Sequence, residues 1–86
     1  MKTSIEITLM PLDNNYKKII KEFIQSLRSM KFKIIETPLS THIYGDFDLI
    51  MSSLLTEIKT TFEKAEGIMI NLKIVKGDRF NYKANF

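Results

Sequence analysis

The sequence predicts an α+β, ferredoxin-like βαββαβ sandwich, with a four-stranded antiparallel sheet and two helices on one face. Three observations predict it. Short segments of period-2 alternation flank two long segments of period-3.6 alternation. A Pro-broken turn, Thr37-Pro38-Leu39-Ser40, separates the two middle strand segments as a hairpin would. Gly45-Asp46 then joins a strand end directly to a helix start. Two crossover helices around a central hairpin require right-handed βαβ units, which place both helices on the same side of the sheet.

The first strand is Ser4 to Met10. Ile5, Ile7 and Leu9 point to the core, while Ser4, Glu6, Thr8 and Met10 point away. Pro11, without an N–H, stops the ladder. Asp13-Asn14-Asn15 offers capping side chains for an amphipathic helix of roughly 16 residues, whose stripe is Tyr16, Ile19, Ile20, Phe23, Ile24, Leu27 and Met30. Lys31 to Thr37 is the second strand and Thr41 to Gly45 the third. Asp46 caps the second helix and Asp48 complements its dipole. That helix presents Phe47, Ile50, Met51, Leu54, Leu55, Ile58, Phe62 and Ala65, and Gly67 is placed to end it. In the last strand Ile68, Ile70, Leu72 and Ile74 face the core, and Met69, Asn71, Lys73 and Val75 face outward. Residues 1–76 form one domain, and 77–86, with no clear period, form a tail.

Composition narrows the chemistry. With 86 residues, the chain suits one core. It has no cysteine, which removes disulfides, thiolate metal sites and thiol catalysis. Glu6 interrupts the apolar run a signal peptide needs, and no stretch reaches the roughly 18 apolar residues of a membrane span. The expectation is a soluble cytoplasmic protein without a membrane partner. The +3 net charge comes from basic residues scattered along the chain, a solvated surface rather than a nucleic-acid footprint.

No catalytic set is legible, and no enzyme, metal site or cofactor is expected. His42, the one histidine, reads as a surface or interface residue. The three glycines make no phosphate loop. The basic-Gly-aromatic strand motif of RNA-recognition domains is missing. An acylphosphatase-like activity needs an arginine in the first loop, and Pro11-Leu12-Asp13-Asn14-Asn15 has none. Gly77-Asp78-Arg79 reads as a solvated turn.

The sheet face without helices would carry Glu6, Thr8, Met10, Ile35, Thr37, Met69, Asn71, Lys73 and Val75, with His42 and Tyr44 joining them if the third strand turns its alternation that way. Mixed polar and apolar, it suits an interface, a ligand surface or both.

Several segments in order resemble the YkoF-like thiamine-binding family and its single-repeat relatives: Ile7-Thr8-Leu9-Met10-Pro11-Leu12, Ser40-Thr41-His42-Ile43-Tyr44-Gly45-Asp46, Phe62-Glu63-Lys64-Ala65, Ile70-Asn71-Leu72-Lys73-Ile74 and Gly77-Asp78. The resemblance implies a ferredoxin-like fold that binds thiamine or its hydroxymethylpyrimidine moiety. As a single repeat, the chain would be a dimer or tetramer built through its open sheet face. An aminopyrimidine edge shows a donor beside an acceptor, which Asn and Thr side chains complement. Asn71, Thr41 and Thr8 are therefore the expected hydrogen-bonding residues, with Thr37 and Ser40 behind them. Met10, Tyr44 and Met69 are the expected walls, and Glu6 or the Tyr44 ring would meet the thiazolium cation. The alternative is an oligomeric interaction module with no small-molecule ligand.

Overall fold

The computed structural model describes residues 1–86. Its elements are β1 (Lys2–Pro11), α1 (Tyr16–Ser29), β2 (Lys33–Glu36), β3 (Thr41–Asp46), α2 (Phe47–Lys64) and β4 (Ile68–Lys76). They form one four-stranded sheet of order β2-β3-β1-β4, and every neighbouring pair is antiparallel. This is the α+β ferredoxin-like arrangement.

β1 lies between β3 and β4, and its alternation sets the two faces. Ile5 pairs with Ile43 and Ile74, and Ile7 with Thr41 and Leu72. Residues directly opposite in a ladder share a face, so these rows lie under the helices. Ile5, Ile7 and Ile43 join Phe23, Leu27, Ile50 and Leu54 in the core. Thr3, on the same side, is buried because its hydroxyl donates to the Val75 carbonyl at 2.8 Å. The opposite face carries the rows Lys33–Tyr44–Ser4–Val75 and Ile35–His42–Glu6–Lys73.

Several sequence expectations are corrected at element ends. Asn15 occupies the cap position of α1 but makes no side-chain cap bond. Asp13 instead accepts from the Asn15 and Glu66 backbone N–H groups, tying the first loop to the end of α2. Tyr16, at the start of α1, lies outside the core and is exposed. β2 is four residues long. Thr37 lies beyond it in the turn, where its N–H donates to the Ser40 carbonyl. α2 is capped as expected, with Asp46 accepting from the Leu49 N–H at 3.2 Å. Its stripe is narrower than its apolar residues: Ile50, Leu54 and Thr61 are buried, while Leu55 and Phe62 are exposed. A helix lying on a sheet buries only one arc of its surface. Ala65, not Gly67, ends α2. Leu72 and Ile74 face the helix side as expected but are 37% and 45% exposed, because β4 is an edge strand.

Gly45 is where α2 closes on the sheet. A Cβ there would lie 3.2 Å from Ile50 Cδ1 and 3.3 Å from Phe32 Cδ1. The tail also begins as ordered packing. Gly77 turns the chain at φ +100. Its carbonyl accepts from the Ser4 hydroxyl, and the Ser4 hydroxyl oxygen in turn accepts from the Arg79 N–H. Phe80 then meets Tyr44 edge to face at 5.3 Å, with Lys33 Nζ 3.8 Å from the Phe80 ring centre. One end of the open sheet face is therefore covered by the chain's own tail.

Candidate functional site

The antiparallel register gathers a polar cluster at the middle of the open face. Glu6 lies opposite both His42 and Lys73. Its carboxylate accepts from the Ser40 hydroxyl at 3.0 Å and lies 3.5 Å from His42 Nε2 and 3.6 Å from Lys73 Nζ. His42 Nε2 is 3.1 Å from Ser40 Oγ, and His42 Nδ1 is 3.3 Å from the Tyr44 hydroxyl. A hydroxyl has one proton to give. Since Ser40 gives its proton to Glu6, it accepts from His42 Nε2–H, and for a neutral ring the Tyr44 hydroxyl donates to Nδ1. The Ser40 bond first, and then Lys73 and His42, hold the Glu6 carboxyl below its usual 4.5. Arg79, Lys73 and Tyr44 help line a shallow recess of about 160 Å3 over this cluster.

A second concavity lies on the helix side. The β1–β3 ladder ends at the Ile7–Thr41 pair, yet β1 runs on to Pro11. Beyond Ile7, β1 therefore has no strand on that flank. The gap between α1 and the β2–β3 turn is a cleft of about 300 Å3. Ile7, Leu9, Ile20, Phe23 and Ile24 form its apolar walls, and Thr8, Thr37, Ser40, Thr41 and Glu36 supply polar atoms. Thr41 is only 6% exposed. Glu36 is held by Arg28 from the end of α1, with both carboxylate oxygens at 2.6 Å from guanidinium nitrogens. That pair keeps Glu36 ionised below the usual carboxylate range. The Thr37 hydroxyl serves the turn itself, donating to the Ser40 carbonyl and accepting from the Leu39 and Ser40 N–H groups.

The expected ligand residues thus divide between two faces. Thr8, Thr37, Ser40 and Thr41 border the cleft, whereas Glu6, Ser40 and Tyr44 belong to the open-face cluster. Asn71 pairs with Thr8 on the open face, and Met10 pairs with Met69 further along the same strands. Thr41 pairs with Ile7 on the helix face, so Thr41 and Asn71 do not converge. Ser40, at the turn, touches both regions. His42, Lys73 and Arg79 join the cluster although sequence reasoning gave them no ligand role. The alternation already turned Lys73 outward, but His42 comes beside Glu6 through the β1–β3 ladder, which the hairpin alone does not set. Arg79 carried no periodic signal. No group of three or more His, Cys, Asp or Glu side chains gathers as a metal site, and no helix is long and apolar enough to cross a membrane.

No protein-family model matches the chain, and neither does any curated protein. Solved structures do match. A Streptococcus pneumoniae protein, SP2199, is 28% identical, with a TM-score of 0.83 over 91% of this chain and 89% of that one. A Thermotoga maritima protein provisionally assigned to thiamine biosynthesis or salvage is 22% identical, with a TM-score of 0.77 over 86% and 82% of the two chains. A hypothetical protein from Methanocaldococcus jannascii is 22% identical, with a TM-score of 0.75 over 90% and 81%. The fold built above from alternation and register is the fold these three proteins share with this chain.

Proposed function

We propose that this chain is a non-catalytic binding protein for thiamine or its hydroxymethylpyrimidine moiety, acting as a homo-oligomer assembled through its open sheet face. The observation that carries the reading is the cleft between α1 and the β2–β3 turn. It joins an apolar floor of Ile7, Phe23 and Ile24 to the Thr41 hydroxyl and a carboxylate, Glu36, at about 300 Å3. That is the lower end of the size range of small-molecule sites, roughly 300–1,000 Å3, and suits one substituted ring. Thr41 would donate to a ring nitrogen, and Glu36 would accept from an exocyclic amine. The fold shared with the Thermotoga maritima protein supports the choice of ligand.

Calorimetry with thiamine, hydroxymethylpyrimidine and thiamine diphosphate tests the reading. Binding is expected, and Thr41→Val should weaken it by about 1–3 kcal/mol by stranding a polar ligand atom. Asn71→Ala, on the other face, should leave affinity unchanged. No heat and no thermal shift at millimolar ligand would remove the proposal.

The mixed open face favours a second reading, an interaction module with no ligand. Ile35, Met10, Met69 and Val75 surround the Glu6 cluster there. A stable oligomer that binds none of the three compounds would select it.

A further inference from the structure

The two edges of the sheet differ. β2 has four residues, carries Lys33 and Glu36 at its ends, and runs into the turn that holds Pro38. Short length, charge and proline are the means by which edge strands avoid pairing with other chains. β4 has nine residues, Ile68-Met69-Ile70-Asn71-Leu72-Lys73-Ile74-Val75-Lys76, with no proline, glycine or acidic residue. β1 occupies one flank of β4, and no strand of the chain occupies the other. Lys73 does not guard that flank, because its ammonium lies 3.6 Å from Glu6 on β1. On the helix side, Leu72 and Ile74 stay exposed beside it.

We propose that β4 pairs antiparallel with β4 of a second copy of this chain, making one sheet continuous through both. This surface is distinct from the open face and does not depend on the ligand reading. Two identical strands that pair antiparallel are related by a twofold axis normal to the sheet. Each copy then keeps its helices on the same side, and opposed residues share a face. An axis at Leu72 pairs all nine residues. It sets Leu72 against the partner's Leu72 and Ile70 against the partner's Ile74, an apolar row on the helix side. On the other side Met69 meets the partner's Val75, and Asn71 meets the partner's Lys73. No like charges are opposed. Moving the axis to Lys73 shortens the ladder and sets two ammonium groups face to face, which is destabilising. Moving it to Asn71 shortens the ladder and takes Val75 and Lys76 out of it. The strand is thus most complementary to itself in one register.

Because the chain has no cysteine, a single introduced thiol reads that register. Leu72→Cys places two thiols on opposed residues, with Cα atoms about 4.5–5.5 Å apart, inside the range a disulfide spans. Mild oxidation should convert most of this variant to a covalent dimer. In Met69→Cys the thiols stand six residues apart along the ladder, about 20 Å, and should not link. Leu72→Lys, at an exposed position, should halve the mass found by light scattering while the circular dichroism spectrum stays native. Ile35→Lys reports on the open face separately. The proposal is overturned if Leu72→Cys links no better than Met69→Cys, or if Leu72→Lys leaves the mass unchanged.

Discussion

The Ser40 hydroxyl donates to Glu6 Oε2 across 3.0 Å, joining residues 34 apart in sequence. This bond ties the β2–β3 turn to the middle of β1, between the helix-side cleft and the open-face cluster. It is also the largest influence holding the Glu6 carboxyl below its usual 4.5. Ser40→Ala should therefore raise the Glu6 midpoint toward the ordinary value. A carbon-detected NMR titration of the Glu6 carboxyl measures this, and an unmoved midpoint would show that Lys73 and His42 hold it instead.

Gly77 turns the chain at φ +100, a region L side chains rarely adopt. Gly77→Ala should cost about 1–2 kcal/mol, read by urea denaturation. The same change should loosen the Ser4–Arg79 bond and the Tyr44–Phe80 contact that follow the turn. Faster amide exchange at Arg79 and Phe80 is the accompanying signature. Unchanged exchange would mean that the aromatic contact alone holds the tail.

Besides Glu6, three carboxylates at the surface link stability to pH. Asp13 is lowered first by the Asn15 N–H, Asp46 by the Leu49 N–H and then the N-terminal ammonium, and Glu36 by Arg28. In each case the folded value lies below the unfolded one, so the unfolded chain binds more protons between the two. The stabilisation is complete above the ordinary values of 3.8 and 4.5 and is lost as pH falls through the lowered values. Thermal midpoints should fall on acidification below about pH 4. The combined Asp13→Asn, Asp46→Asn and Glu36→Gln variant should show a shallower fall, and an identical acid limb would assign it to other groups.

Much of the fold was legible in the chain. The alternation of Ile5, Ile7 and Leu9 named the inner face of β1, and Asp46 was read correctly as a helix cap. Misjudged positions share one cause. Leu55, Phe62, Leu72 and Ile74 have apolar side chains in the right period, but burial depends on what another element covers. The α2 surface exceeds the arc that the sheet meets, and β4 has a neighbour on one side only. The site was less legible for a related reason. Thr41 and Asn71 have complementary chemistry, but the pairing of Thr41 with Ile7 and Asn71 with Thr8 sends them to opposite faces.

Local sequence determined the order of elements, the hairpin and the inward parity of each strand, because those depend on dihedral preference and on side-chain spacing along a single segment. Tertiary structure decided which residues meet across segments. The Glu6–Ser40–His42–Tyr44 cluster exists because two ladders set the register of β1 against β3 and β4. The cleft exists because β1 outruns β3 by the residues after Ile7. Phe80 lies on Tyr44 because Gly77 reverses the chain over Ser4. Such relationships are set by pairing and packing between distant segments, and no local period encodes them.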